Sequence, residues 1–178
     1  MRIITLDFET FWDSKDKYAL DEMSYMEYIL DPRFEVQLMG IREGYRDVEV
    51  LEGDDIDRAL KYYKIDEPDV CLVGHNIRNF DAKILNVHYK ISPNFIMDTM
   101  ELGKFFGILK GPGGSLARLS DYLGNGTKEK GTIISDGKHW PNDFTEEERE
   151  KFRNYCHNDV LLTCFNFIDL VKKFPLMI

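Results

Sequence analysis

The segment Arg2-Ile3-Ile4-Thr5-Leu6-Asp7-Phe8-Glu9-Thr10 joins an apolar run to two carboxylates two residues apart. Residues 2–8 read as a buried strand. Positions two apart in a strand point to the same side, so Asp7 and Glu9 project together at its carboxyl end. Like charges held that close oppose folding unless a cation lies between them. Alone, the pair reads equally well as two surface acids. The apolar run places them instead at the carboxyl edge of a buried strand, where open α/β sheets bind ligands. Two further carboxylates can join them: Asp81, in Asn76-Ile77-Arg78-Asn79-Phe80-Asp81, and Asp159, in Tyr155-Cys156-His157-Asn158-Asp159. Four carboxylates from three segments form a donor set for a pair of hard divalent metal ions.

The rest of the chain predicts a mixed sheet with helices on its faces. Residues 34–41 suit a second strand and residues 47–51 a third, in a hairpin turned at Gly44. Asp54 caps a helix to about Lys64. Residues 69–74 form a short buried strand, 79–89 a helix and 95–97 a fifth strand. Residues 18–30 read as a loop with a short helical piece. Two helical pieces flank Gly111-Pro112-Gly113-Gly114, and 124–143 read as a surface loop rich in Gly and Lys. Thr145-Glu146-Glu147-Glu148 has the form of a capping start with acids in the first turn. It opens a long helix through Asp159 to about Lys173. The 178 residues suit one domain, residues 1–178, with a sizeable core.

The formal charge of -9 argues against a broad basic surface for duplex DNA, but leaves room for a short single strand neutralised by metal ions and a few local cations. The three cysteines, Cys71, Cys156 and Cys164, have no zinc spacing and read as buried thiols in a reducing cytoplasm. No membrane segment or signal peptide is expected, because the first apolar run is short and broken by Asp7 and Glu9.

Asp81 also reads as an acid favoured by a helix N-terminus. His75 more often packs or hydrogen-bonds than ligates, and Asn76 reads as a cap or turn residue. Tyr155 and Asp159, four apart, share one helix face, and the neighbouring Val160, Leu161 and Leu162 suggest that the helix is buried. With a free pKa near ~10, Tyr155 is a poor base at neutral pH, and its simplest role is to orient a water.

Taken together, Asp7-x-Glu9, Asn76-x-x-x-Phe80-Asp81 and Tyr155-x-x-x-Asp159 resemble the three motifs of the DEDD 3′–5′ exonucleases of the DnaQ-like superfamily. The Tyr spacing is that of the DEDDy branch. The other branch needs a His at position 154, where this chain has Asn154. Asp98-Thr99 and the stretch Ser115 to Gly124 are similar to the segment between the second and third motifs in proofreading domains of phage and bacterial family A DNA polymerases. Asp98 is expected near the site as a secondary acid.

The resemblance implies a ribonuclease-H-like α/β fold with a five-stranded sheet. It implies two Mg²⁺ or Mn²⁺ ions on Asp7, Glu9, Asp81 and Asp159, a water oriented by Tyr155, and release of nucleoside 5′-monophosphates. It also implies that Phe8, Thr10, Phe11 and Trp12, with His75, Asn76 and Phe80, meet the terminal nucleotide. Base stacking of that kind is worth ~1–3 kcal/mol per base. Phe11 and Trp12 read equally well as cover for a core edge. Lys104, Lys110, Arg118, Lys128, Lys130 and Lys138 could meet phosphates or merely be solvated. The expected substrate is single-stranded DNA with a free 3′ end, with RNA and a catalytically idle interaction module as alternatives. A polymerase or other replication protein is the expected partner, and the cytoplasm, of a host cell if viral, the expected location.

Overall fold

A computed structural model of the chain describes residues 1–111, 114–127 and 132–174. Five strands, β1 (Arg2–Thr10), β2 (Val36–Glu43), β3 (Glu49–Leu51), β4 (Val70–Gly74) and β5 (Phe95–Asp98), form one sheet in the order β3-β2-β1-β4-β5. β1 pairs antiparallel with β2 and parallel with β4, and β5 extends the parallel half. The mixed five-stranded sheet flanked by helices is therefore the architecture expected. The helices are α1 (Tyr25–Leu30), α2 (Asp54–Tyr63), α3 (Asp81–Ile84), α4 (Thr99–Phe105), α5 (Leu116–Leu123) and α6 (Glu146–Lys172).

The alternation within β1 divides the molecule. Ile4, Leu6 and Phe8 face a core shared with Tyr28 and Ile29 of α1, with Ile56, Leu60 and Tyr63 of α2, and with Ile84 of α3. Thr5, Asp7 and Glu9 alternate with them and face the opposite side, where α6 lies. There Leu38 of β2 packs with Phe152, Tyr155 and Cys156 of α6, and Phe167 packs on Cys71 and Val73 of β4. Thr145 and Glu148 cap α6 reciprocally, as the sequence predicts.

Three stretches differ most from expectation. β1 runs two residues further, through Glu9 and Thr10, because β2 continues to pair with it past a register shift between those residues. The helix expected over 79–89 is one turn of α-helix followed by a π-helix at Leu85–Tyr89, ended by Lys90 in the left-handed region. The π-turn directs Tyr89 onto Phe8, their rings nearly parallel with centroids 5.8 Å apart. The stretch 124–143 is more than a solvated loop. It contains a 3₁₀ turn at Thr132–Ser135, buries Ser135 and bridges back to Trp12.

Candidate active site

β1 and α6 bring three carboxylates together: oxygens of Asp7, Glu9 and Asp159 lie within 4.8 Å of one another. Asp7 and Glu9 are half-buried at the carboxyl end of β1, and Asp159 is 3% exposed on the face of α6 that covers it. The pairings Asp7↔Gly40 and Glu9↔Leu38 put these two acids on the same sheet face as the β2 residues beneath α6.

Asp81, 2% exposed, opens α3 and accepts a hydrogen bond from the Phe8 backbone amide at 2.9 Å. Burial, and then the neighbouring Asp7 charge, push its carboxyl well above the usual carboxylate range. Asp81 thus lies close enough to Asp7 to feel its charge, although it is outside the trio whose oxygens lie within 4.8 Å of one another. A site that buries one carboxylate beside a cluster of three others is electrostatically incomplete without positive charge. The all-oxygen donor set fits hard divalent cations.

Tyr155 lies one helical turn before Asp159, buried at 3% exposure, and its hydroxyl is hydrogen-bonded to Asp159. Burial first, and then the Glu9, Asp159 and Asp7 charges, push the phenol far above its ordinary range. A phenol so placed stays protonated and keeps its hydrogen-bond donor for Asp159.

Beside Glu9 lies a pocket of ≈ 310 Å³ lined by Phe8, Thr10, Trp12 and Phe80, and by Tyr28 and Ser135. Trp12 donates its indole N–H to Ser135 Oγ at 3.0 Å, and Thr10 Oγ1 is 2.8 Å from the Tyr28 hydroxyl. Of the expected substrate contacts, the pocket thus gathers four. Phe8 reaches it only as a buried ring stacked on Tyr89. Phe11 does not line it. It is 5% exposed and stacked on His139 and Tyr18, so it covers the core edge.

His75 and Asn76 do not line the pocket either. His75 Nδ1 lies 2.9 Å from Thr99 Oγ1, and Nε2 lies 2.7 Å from the Gly114 carbonyl. Asn76 turns the chain at φ 61° and donates its side-chain amide to the Tyr25 hydroxyl. Asp98, the expected secondary acid, ends β5 close enough for its charge to add to the rise of the Asp81 carboxyl, and it accepts from the backbone amides of Asn76, Arg78 and Met100, fixing the segment that leads to Asp81.

Tyr28 and Ser135 are pocket residues that the sequence analysis did not single out. Tyr28 lies in a stretch read mainly as loop, and Ser135 in one read as solvated. Among the candidate phosphate contacts, Lys138 is held by Glu148 at 2.6 Å, whereas Lys110 and Arg118 are exposed. Lys128 and Lys130 lie outside the described residues. No described helix is long and apolar enough to cross a membrane.

The mixed five-stranded sheet, with its acid-bearing central strand under a long helix, has the ribonuclease-H-like architecture of its structural neighbours. A family model described as 3′–5′ exonuclease matches residues 22–175, which include Asp81, Tyr155 and Asp159. The chain belongs to that family of enzymes. No curated protein sequence matches it. Its fold is similar to a family B DNA polymerase from the archaeon Pyrobaculum calidifontis, at TM-score 0.67 and 17% identity over 96% of this chain and 24% of that one. It is also similar to Escherichia coli RNase D, at TM-score 0.64 and 16% identity over 96% of this chain and 39% of that one. Brucella melitensis NrnC bound to pGG gives TM-score 0.66 and 15% identity over 96% of this chain and 72% of that one. The chain thus spans well under half of the polymerase and of RNase D.

Proposed function

We propose that the chain hydrolyses single-stranded DNA from its 3′ end, releasing nucleoside 5′-monophosphates with the help of two divalent ions, Mg²⁺ or Mn²⁺. The observation that carries this reading is the cluster of Asp7, Glu9 and Asp159 oxygens within 4.8 Å, with buried Asp81 against Asp7. Asp7, Glu9, Asp81 and Asp159 would hold the ions. When bound, divalent ions supply positive charge to the transition state and lower the pKa of the attacking water.

The chain's own residues do the rest. The pocket beside Glu9 takes the terminal nucleotide, with Trp12 and Phe80 offering ring faces to the base. Tyr155, held protonated, donates to Asp159 and leaves its oxygen as an acceptor for a water proton. That fixes the direction of the water's lone pair towards phosphorus. Phe11 lies in the core and takes no part, whereas His75 and Asn76 act by holding the loop before Asp81.

A second reading, the same chemistry on RNA, is favoured by the likeness to RNase D and to NrnC bound to pGG. The choice rests on how the pocket treats a 2′-hydroxyl. The test uses 5′-labelled DNA and RNA oligomers of one sequence, with Mg²⁺, Mn²⁺ or EDTA. Stepwise shortening of the DNA that EDTA abolishes is expected. Cleavage of a circular single strand, or loss of the 5′ label first, would sink the assignment. A parallel melting scan should place the protein higher with Mn²⁺ than with EDTA, because ligands that bind only the folded state stabilise it.

A further inference from the structure

We infer that Gly40 is a positioning residue for the carboxylate cluster. The absence of a side chain there lets α6 descend close enough to β1 to bring Tyr155 and Asp159 onto Asp7 and Glu9. This rests on the proposed reading of the cluster as the metal site.

Gly40 pairs directly with Asp7 across the β1–β2 ladder, so the two positions face the same side of the sheet, towards α6. A methyl group at position 40 would lie 2.5 Å from Val160 Cγ2, 3.0 Å from Cys156 Sγ and 3.3 Å from the Cys156 carbonyl oxygen. The φ of Gly40 is not positive, so backbone conformation does not demand glycine here. Close approach does.

Cys156 and Val160 are four apart and form one ridge of α6. Tyr155 and Asp159 each precede them by one residue and form the neighbouring ridge. Seating the first ridge on Gly40 therefore sets the height of the second above the acids. Cys156 and Val160 are both fully buried, so neither can swing into solvent to make room. Carbon atoms pack at ~3.5–4.0 Å, so the helix would have to lift or tilt by roughly 1 Å. A displacement of that size is enough to reduce catalysis by ~10²-fold.

The test compares wild type, Gly40→Ala, Gly40→Ala/Val160→Ala and Leu170→Ala. The last is a control that empties a fully buried position at the far end of the same helix. Each is titrated with Mn²⁺ alone by calorimetry, melted with EDTA, and assayed on a 5′-labelled oligomer. Gly40→Ala should weaken Mn²⁺ binding by about tenfold or more and lower kcat by ~10², with KM changed far less. Leu170→Ala should lose thermal stability yet keep both quantities near wild type. Removing the Val160 branch should restore most of the Mn²⁺ affinity.

A folded Gly40→Ala with wild-type Mn²⁺ affinity and kcat would overturn the inference. So would a Leu170→Ala protein that loses Mn²⁺ affinity as deeply, since general loosening would then explain both. Should Gly40→Ala fail to fold, the double variant decides: near-wild-type affinity supports the role, and a folded double variant without affinity refutes it. Wild type that binds no Mn²⁺ and cuts no oligomer would instead overturn the proposed function.

Discussion

At the scale of single residues, the site separates acids by what surrounds them. Tyr155 is held protonated, because burial and three neighbouring carboxylates oppose its ionisation. Tyr155→Phe should keep the ring packing and lose one positioned hydroxyl, lowering kcat within the ~10²–10³ range typical for such a group. Asp159→Ala removes a carboxylate from the cluster and should be slower still. Single-turnover rates at saturating Mn²⁺ distinguish the two roles. Asp81 makes the complementary prediction. Asp81→Asn retains an acceptor for the Phe8 amide but removes a charge that burial and Asp7 disfavour. Without metal its Tm should rise by roughly 2–4 °C, the shift given by about 1 kcal/mol in a domain of this size. The rise caused by Mn²⁺ should shrink. Thermal melts in EDTA and in Mn²⁺ check both. Asp7, Glu9, Tyr155 and Asp159 were legible in sequence, because strand and helix periodicities place them on common faces. The attachment of Asp81 to the Phe8 amide was not, since it joins residues separated by 73 positions.

At the scale of elements, what the sequence hid is concentrated where local rules give way to long-range contacts. The π-turn at Leu85–Tyr89 has no propensity signature, and the register shift beside Glu9 has none either. The segment after Gly124 is polar and glycine-rich, so its pattern reads as solvated. It is held in place from afar: Asp136 accepts from both the amide and the hydroxyl of Ser14, and Gln37 donates to the Lys138 carbonyl. Its Ser135 fixes the Trp12 indole at the pocket wall. Ser135→Ala should leave Trp12 free to turn while the carboxylates stay in place. A lost hydrogen bond of ~0.5–1.5 kcal/mol would raise KM for an oligomer about two- to twelvefold with kcat little changed. Steady-state kinetics on a 5′-labelled single strand provide the check. A kcat loss matching Asp159→Ala would show instead that this segment supports the acids.

At the scale of the whole molecule, buried phenols set the alkaline limit. Tyr18, Tyr28, Tyr63, Tyr89 and Tyr155 all have their ionisation opposed by burial, and Tyr28 and Tyr89 are pushed up to about 12. An unfolded chain releases these protons near the ordinary value of 10.0. Below that pH both states are neutral and the stability is fully present. Above it the unfolded chain loses protons that the fold retains, so stability falls as pH rises from 10 towards 12. The Tm in EDTA should fall by on the order of 10 °C between about pH 9.5 and pH 11.5, with the tyrosinate absorbance rising in the same transition. Tyr→Phe changes at exposed positions such as Tyr45 and Tyr62 should leave that fall in place.

β1 carries the core on one face and the acids on the other, and this has a practical result for any preparation of the protein. A slip of one residue in its pairing would turn Asp7 and Glu9 into the core beneath α1 and α2, and Leu6 and Phe8 towards α6, together. A molecule miswired in this way would therefore be poorly packed as well. The fraction of molecules able to turn over substrate, counted by a burst of product in a single turnover, should equal the fraction that melts cooperatively. At saturating Mn²⁺, a purified batch of low specific activity would then contain unfolded chains rather than folded but miswired ones.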